Sequence, residues 1–498
     1  MTSPDALTGS PRVPPSVGLF RRVVPPMVLP VFLAAADNTI VATALPSIAA
    51  EFGEVYHLSW VVIANLIAAT VAAPAYGRLG DLFGRRRMML VSLSGFAGAS
   101  LLCAVAPTFA FLLFGRVLQG LGGGGLMTMA QALVGEHVPS RQRGTYQGYL
   151  SANIVAGTTI GPVAGGVITQ FWGWHAVFVA YLPLCAIAAV LVLRLPPGTR
   201  SGGRGRFDIT GMLLLTAAVV PTLLAVSAMQ QPDLTRLPLQ GALLLLAAVT
   251  FTALFWQQRR STSPLLAVAL LRIPSFWRSD VMAACSGASL TALMTFLPIY
   301  MQAVTGASPA QSGLLLIPLS GAVSSGAVLT GWLISRTGRT AIFPTVGLAI
   351  TGLTLVILAV WAPGMSRATL SWILAIGGLC QGSAMITAQI TVQTVSGMNQ
   401  LGAAAGSVQL SRALGSAFGA AIAGAVLFGI LAVMHPDTVD VFAQMVRSGP
   451  DVLHGLPQAR QVAVQADIAN AFRGVFLTVA CFSVTVVLCA ATMPARRL

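Results

Sequence analysis

The chain has no lysine. All 28 of its basic residues are arginine, they face only 13 acidic residues, and charged side chains make up 8% of the 498 positions. The net charge of +15 is therefore not the mark of a nucleic-acid binder. Such a protein carries basic runs on a soluble domain, whereas these arginines sit in short polar segments between apolar runs. Histidine is scarce: His57, His137, His175, His435 and His454 lie at the ends of apolar runs or between them. The six cysteines (Cys103, Cys185, Cys285, Cys380, Cys481 and Cys489) all fall inside apolar runs, and none forms a C-x-x-C pair. They read as small apolar filler, and no His or Cys cluster has metal-ligand spacing. No metal and no cofactor are expected. A membrane-embedded enzyme would need several acids or histidines at one depth, and that set is missing as well.

Apolar sequence is plentiful. Hydrophobic residues make up 56% of the chain, and the mean hydropathy is +0.82. Runs of about 20 apolar residues, enough to span a bilayer, recur from end to end. Fourteen spans are predicted, at 24–46, 59–77, 88–106, 110–134, 146–169, 175–195, 209–229, 238–257, 277–302, 312–334, 341–361, 369–393, 405–433 and 471–493. Arginine is strongly biased to one set of alternate segments. The other side receives only Arg236, Arg367, Arg447, Arg460 and Arg473, while Arg116 and Arg412 lie within spans. By the positive-inside rule both termini are cytosolic, and the protein is a multi-pass component of the cytoplasmic (inner) membrane.

The expected organisation is a cytosolic tail (1–22), a first six-helix bundle (23–195), a linker with two inserted spans (196–260) and a second six-helix bundle (261–498). Arg21-Arg22 could open a twin-arginine export signal, but the run from Val23 to Pro46 is too long for a signal-peptide core and no small-residue cleavage site follows it. Residues 196–208 read as a flexible cytosolic linker. Residues 434–470 form the one long external segment. It reads as a solvated loop whose part from Val452 to Asn470 could be helical, with a docking surface for a periplasmic adaptor as the alternative.

One polar stretch organises the rest. Gly77-Arg78-Leu79-Gly80-Asp81-Leu82-Phe83-Gly84-Arg85-Arg86-Arg87 joins spans 2 and 3, with glycines that allow a tight turn and close helix approach. A weaker copy runs from Gly331 to Arg339, with Gly77, Gly84 and Arg85 spaced like Gly331, Gly338 and Arg339 and with Ser335 in place of Asp81. The echo points to two related halves. Asp81 is placed to pair with Arg85 or to cap a helix amino terminus.

Asp37 lies deep in span 1, where a carboxylate costs roughly 2.5–3.5 kcal/mol on insertion scales and so points to a proton or ion site. Glu136, Asp208 and Asp280 fall near cytosolic span ends, which leaves Asp37 as the one acid placed at mid-membrane. Arg116 is about 9 Å into span 4 and Asp37 about 14 Å from the external end of span 1, so the two can pair if those spans are neighbours. Arg116, Gln119, Gly120 and Gly123 share one helix face, small and polar, as a cavity wall or a close helix contact requires. In span 5, Gly157, Gly161 and Gly165 form a ridge for another helix, and Pro162 removes a backbone hydrogen bond and is expected to kink the helix there.

These motifs together resemble those of the major facilitator superfamily, and within it the fourteen-span drug:proton antiporters. The hinge matches the superfamily's loop 2–3 motif through Gly77, Leu79, Asp81, Gly84, Arg85 and Arg86. Arg116-x-x-Gln119-Gly120-x-Gly122 resembles the span 4 motif linked to proton transfer. Gly157-x-x-x-Gly161-Pro162-x-x-Gly165-Gly166 resembles the span 5 motif of antiporters, and Asp37 to Val41 with Ala44 to Pro46 the span 1 signature. The resemblance implies an all-α major facilitator fold of two six-helix bundles plus two inserted helices. It also implies proton-driven export of drugs or other amphipathic small molecules by alternating access, which would confer antibiotic resistance, with Asp37 and Arg116 coupling to the proton. On this reading a drug cation and a proton compete for Asp37. A transporter of the same fold dedicated to one metabolite or lipid is the alternative.

Overall fold

A computed structural model describes residues 17–53, 57–196, 206–228, 237–266, 268–307, 309–448 and 457–494. Residues 1–16 of the expected tail, 197–205 of the linker and 449–456 of the long loop lie outside the described residues. Among those described, fourteen helices are long and apolar enough to cross a membrane. Helix is what such runs must form in lipid, where every backbone N–H and C=O needs a partner within its own segment.

In chain order the helices are α1 (Val17–Phe52), α2 (Ser59–Phe83), α3 (Arg85–Ala104), α4 (Phe109–His137), α5 (Arg143–Trp172) and α6 (Trp174–Leu193). Next come α7 (Ile209–Ala228) and α8 (Leu237–Arg260). They are followed by α9 (Pro274–Thr305), α10 (Pro309–Thr337), α11 (Ile342–Trp361), α12 (Arg367–Val395), α13 (Leu401–Met434), α14 (Pro436–Ser448) and α15 (Gln458–Ala491). The α2–α3 turn is made at Gly84, whose φ of 95° suits a residue without a side chain. Its counterpart Gly338, at 68°, ends α10.

Among the described residues of 434–470 helix prevails over a solvated loop, as the sequence allows for the later part of the segment. α14 buries Phe442 and Met445, whose three-residue spacing puts both on one face, and Phe442 meets Phe428 of α13 edge-on at 5.6 Å. α15 begins at Gln458 and runs without a break into the last span, burying Val464 and Ile468 on the way. The last helix thus starts well before 471. Its first turns alternate polar and apolar residues, so hydropathy alone does not reveal them.

Two sets of helices have their own cores. α1 to α6 share one apolar cluster, and α9 to α13 pack with α14 and α15 around two others. Across the halves α2 meets α13 and α5 meets α10. The inserted helices α7 and α8 pack on each other and, through Leu215, Val219 and Leu223, against Val71 of α2 and Leu410 of α13. They therefore lie beside the α2–α13 seam.

Candidate functional site

Asp37 and Arg116 do meet. Nη1 of Arg116 donates to both carboxylate oxygens of Asp37, at 3.0 and 2.8 Å. The same nitrogen reaches Gln119 Oε1 at 2.7 Å, and Nε donates to the Val61 carbonyl at 2.9 Å. Asn65 of α2 donates to the second Asp37 oxygen. Gln119 passes the chain on to Ser100 Oγ at 2.9 Å. Tyr181 of α6 stands close enough to Asp37 to interact with its charge. Arg116 is fully buried and Asp37 is 2% exposed.

The pair lies wholly inside the first half, held by α1, α2, α3, α4 and α6. Two consequences correct the sequence reading. Gln119 and Gly120 do not line a cavity: Gln119 is fully buried, and a Cβ on Gly120 would overlap the Asn65 carbonyl. The face they share is a close helix contact, chosen over a cavity wall because α2 packs directly on it. Asp37 likewise offers no free oxygen to a substrate cation in this state, since Arg116 and Asn65 occupy both.

The hinge forms a second polar cluster. Asp81 pairs with Arg85 at 2.8 Å and accepts the amides of Gly402 and Ala403, both at 2.9 Å. The helix whose amino terminus it caps is therefore α13, in the opposite half, where a carboxylate satisfies otherwise orphan N–H groups and favours the positive end of the helix dipole. Arg85 also pairs with Glu136 at 3.3 Å and donates to the Met398 carbonyl at 2.8 Å. Arg86 bonds the Val192 and Leu193 carbonyls at the end of α6. Gly77 and Gly402 touch backbone to backbone, so a Cβ on either would overlap the other's carbonyl.

The copied hinge repeats the device without charge. Ser335 Oγ accepts the Thr145 amide at 3.1 Å, near the amino terminus of α5, and Gly331 and Gly144 touch through their main chains. These bonds join the halves at one end of the molecule, and the halves are closed on each other there.

The whole-chain comparisons agree with this architecture. The family description "Major Facilitator Superfamily" matches residues 27–420. The chain belongs to the major facilitator superfamily. An uncharacterised MFS-type transporter of Mycobacterium tuberculosis is 32% identical over 93% of this chain and 67% of its own length. The multidrug transporter protein MdtP of Bacillus subtilis is 30% identical over 80% of this chain and 74% of its own. The multidrug resistance protein Stp of M. tuberculosis is 31% identical over the same shares. Among solved structures, the human organic anion transporter MFSD10 superposes with a TM-score of 0.65 at 16% identity, covering 94% of this chain and 99% of its own. The proton:xylose symporter XylE gives 0.62 at 13% identity, with 96% of each chain covered.

In this facilitator the α5 ridge packs on α1. A Cβ on Gly157 would lie 3.1 Å from that of Ala35, and one on Gly161 or Gly165 would overlap Thr39 or Thr43. Gly166 has open space instead and takes no part in the contact. The helix continues through Pro162. Leucine at Gly161 is expected to leave a protein that inserts but transports at under about a tenth of the native rate, because the Thr39 side chain and the Ala36 carbonyl leave no room for four extra carbons. Full transport by Gly161→Leu would remove the contact from the working cycle.

Several features of this facilitator escaped the sequence. The ridge has an echo in α13, where Gly415 and Gly419 pack on Ala284 and Ala288 of α9. They follow Gly161 and Gly165 by 254 residues, the interval that also separates the two hinges. That interval was the available signal, hidden in a helix rich in alanine and glycine. Asp280, placed near a span end by the sequence, is 8% exposed in α9, and its one described bond is from Ser407 at 2.6 Å. Asn65 and Tyr181 carry no motif, so only the packing reveals them.

Proposed function

We propose that this facilitator is a proton-coupled antiporter exporting amphipathic compounds, drugs among them, across the cytoplasmic membrane. The buried Asp37–Arg116 pair is the observation that carries the proposal. An ion pair sealed from water is stable only while both members are charged, and losing one charge leaves the other costly. Protonating Asp37 therefore frees Arg116 to be held by Gln119 and the Val61 carbonyl alone, and α1 and α4 lose their ionic tie. Proton entry is thus felt by the helices of the first half, which is how a proton can drive a conformational change without touching the cargo. Several relatives named for multidrug transport support the substrate class.

Positive-inside bias places the arginine-rich hinge on the cytosolic side, with both termini. The closed end is then cytosolic, and each half, with α7 and α8 beside the seam, moves as a body about the central path.

The test uses proteoliposomes under an imposed pH gradient with the neutral amphipathic dye dansylglycinamide as cargo. The native protein is expected to transport it against its gradient, and Asp37→Asn to lose gradient-driven transport by at least about tenfold, as expected when a single group carries the coupled proton. Robust pH-driven transport by Asp37→Asn would end the assignment. Asp280, the buried acid of the second half, would then be the next residue to replace.

A further inference from the structure

The two arginines placed within spans have opposite surroundings. Arg116 is matched by Asp37. Arg412, eleven residues into α13 and so about 16 Å along it, has one described polar partner: its Nε donates to Gln409 Oε1 at 3.1 Å on the same helix. No acid among the described residues lies within ion-pair distance. Asp280 is engaged by Ser407, five residues away on α13. No bond is described for the terminal nitrogens of Arg412. The residue is half-buried in the middle of α13, with a space beside it.

Helix geometry says which space. On α13, Gly402 and Gly406 face α2 of the first half, and Gly415 and Gly419 face α9 of the second. At about 100° per residue Arg412 falls between these faces, on the side of Ala405. Ala405 belongs to the apolar core of the first half. Opposite, Phe418, Ile422 and Ala425 are exposed. The Arg412 side chain is thus directed at the gap between the halves, with its Cγ against Gly287 of α9.

A guanidinium does not escape burial by losing its proton. An uncompensated one in a membrane interior is costly and marks a functional site. Its planar fork suits a carboxylate, which two parallel charge-assisted hydrogen bonds can hold. Asp37 is already neutralised by Arg116, so among these mid-depth groups the uncompensated charge on the central path is positive.

We infer that Arg412 is the anion subsite of the central path, and that the cargo it selects is an amphipathic organic carboxylate whose apolar body lies along the helices. This deepens the export proposal and rests on it for the identity of the path.

The probes are dansylglycine and dansylglycinamide, which share a fluorophore and differ by one charge. Binding is read by fluorescence on the full-length protein in nanodiscs at pH 7, without a gradient. The native protein is expected to bind the acid about tenfold or more tightly than the amide, the scale of a charge-assisted hydrogen bond. Arg412→Gln should bring the acid down to the amide's affinity and leave the amide unchanged. Arg412→Lys, which keeps the charge and loses the fork, should fall between and controls for folding. Equal affinities in the native protein, binding of neither probe, or a preference that survives in Arg412→Gln would overturn the assignment. Failure of proton coupling would show in the proteoliposome assay and leave this equilibrium result untouched.

Discussion

Arg116→Ala abolishes gradient-driven export and destabilises the folded protein by about 3–5 kcal/mol, the scale for breaking one side of a buried ion pair. The cost arises less from the lost attraction than from what remains. Asp37 keeps only the Asn65 amide and its neighbour Tyr181, in a site with 2% exposure. Asp37 is left as a buried acid without its cation, and the helices no longer register whether a proton has arrived. The double variant Asp37→Asn/Arg116→Ala separates these effects. It should regain most of the melting temperature, because no orphan charge is left, while export stays absent. Arg116→Lys should keep part of the stability and little of the transport, since one ammonium does not reach both Asp37 oxygens, the Gln119 carbonyl and the Val61 carbonyl together. Full export by Arg116→Ala would take the pair out of the mechanism, and a double variant as unstable as the single one would show that packing, not charge, explains the loss.

The second large effect is expected at the hinge. Asp81→Ala removes the cap from Gly402 and Ala403 and the partner from Arg85 in one step. A lost cap costs about 0.5–2 kcal/mol and a lost bond to a charged group about 1.5–3. Together they shift the balance between closed and open hinge ends by roughly 30-fold or more toward open. Transport should fall by a similar factor while cargo affinity changes less than about twofold, because Asp81 sits at the closed end and away from the middle of the path. Hydrogen exchange gives an independent reading: the first turns of α13 and α5 should both lose protection, because opening parts Asp81 from Gly402 and Ser335 from Thr145 together. Parallel loss of binding and transport, or unchanged exchange in α13, would contradict a gating role for this contact.

Much of this was legible in the sequence because a bilayer imposes simple demands. Spans announce themselves by length and hydropathy. Arg116 and Asp37 could be matched by depth before any neighbour was known. Asp81 was read as a partner for Arg85 or as a helix cap, and it is both, although nothing local says that the capped helix lies more than 300 residues away. The failures share a physical cause. α14 is amphipathic, so a hydropathy window averages its buried face away, and for the same reason the sequence reading starts the last span too late, although it allows a helix before it. Gln119 and Gly120 sit on a polar face, and polarity alone does not say whether water or another helix covers it. Gly415 and Gly419 are inconspicuous where small residues abound, and Arg412 gains meaning only once no counter-ion is found for it among the described residues.

The closed end rests on Gly77 against Gly402 and Gly144 against Gly331, main-chain contacts held by the Asp81 and Ser335 bonds beside them. A closure built from backbone does not depend on which side chains line the middle of the path. Lineages can therefore exchange mid-depth residues, and with them the compounds carried, without retuning how the molecule shuts. Specificity is free to drift while closure stays fixed, and that separation gives a simple physical reason for one architecture to serve many cargoes.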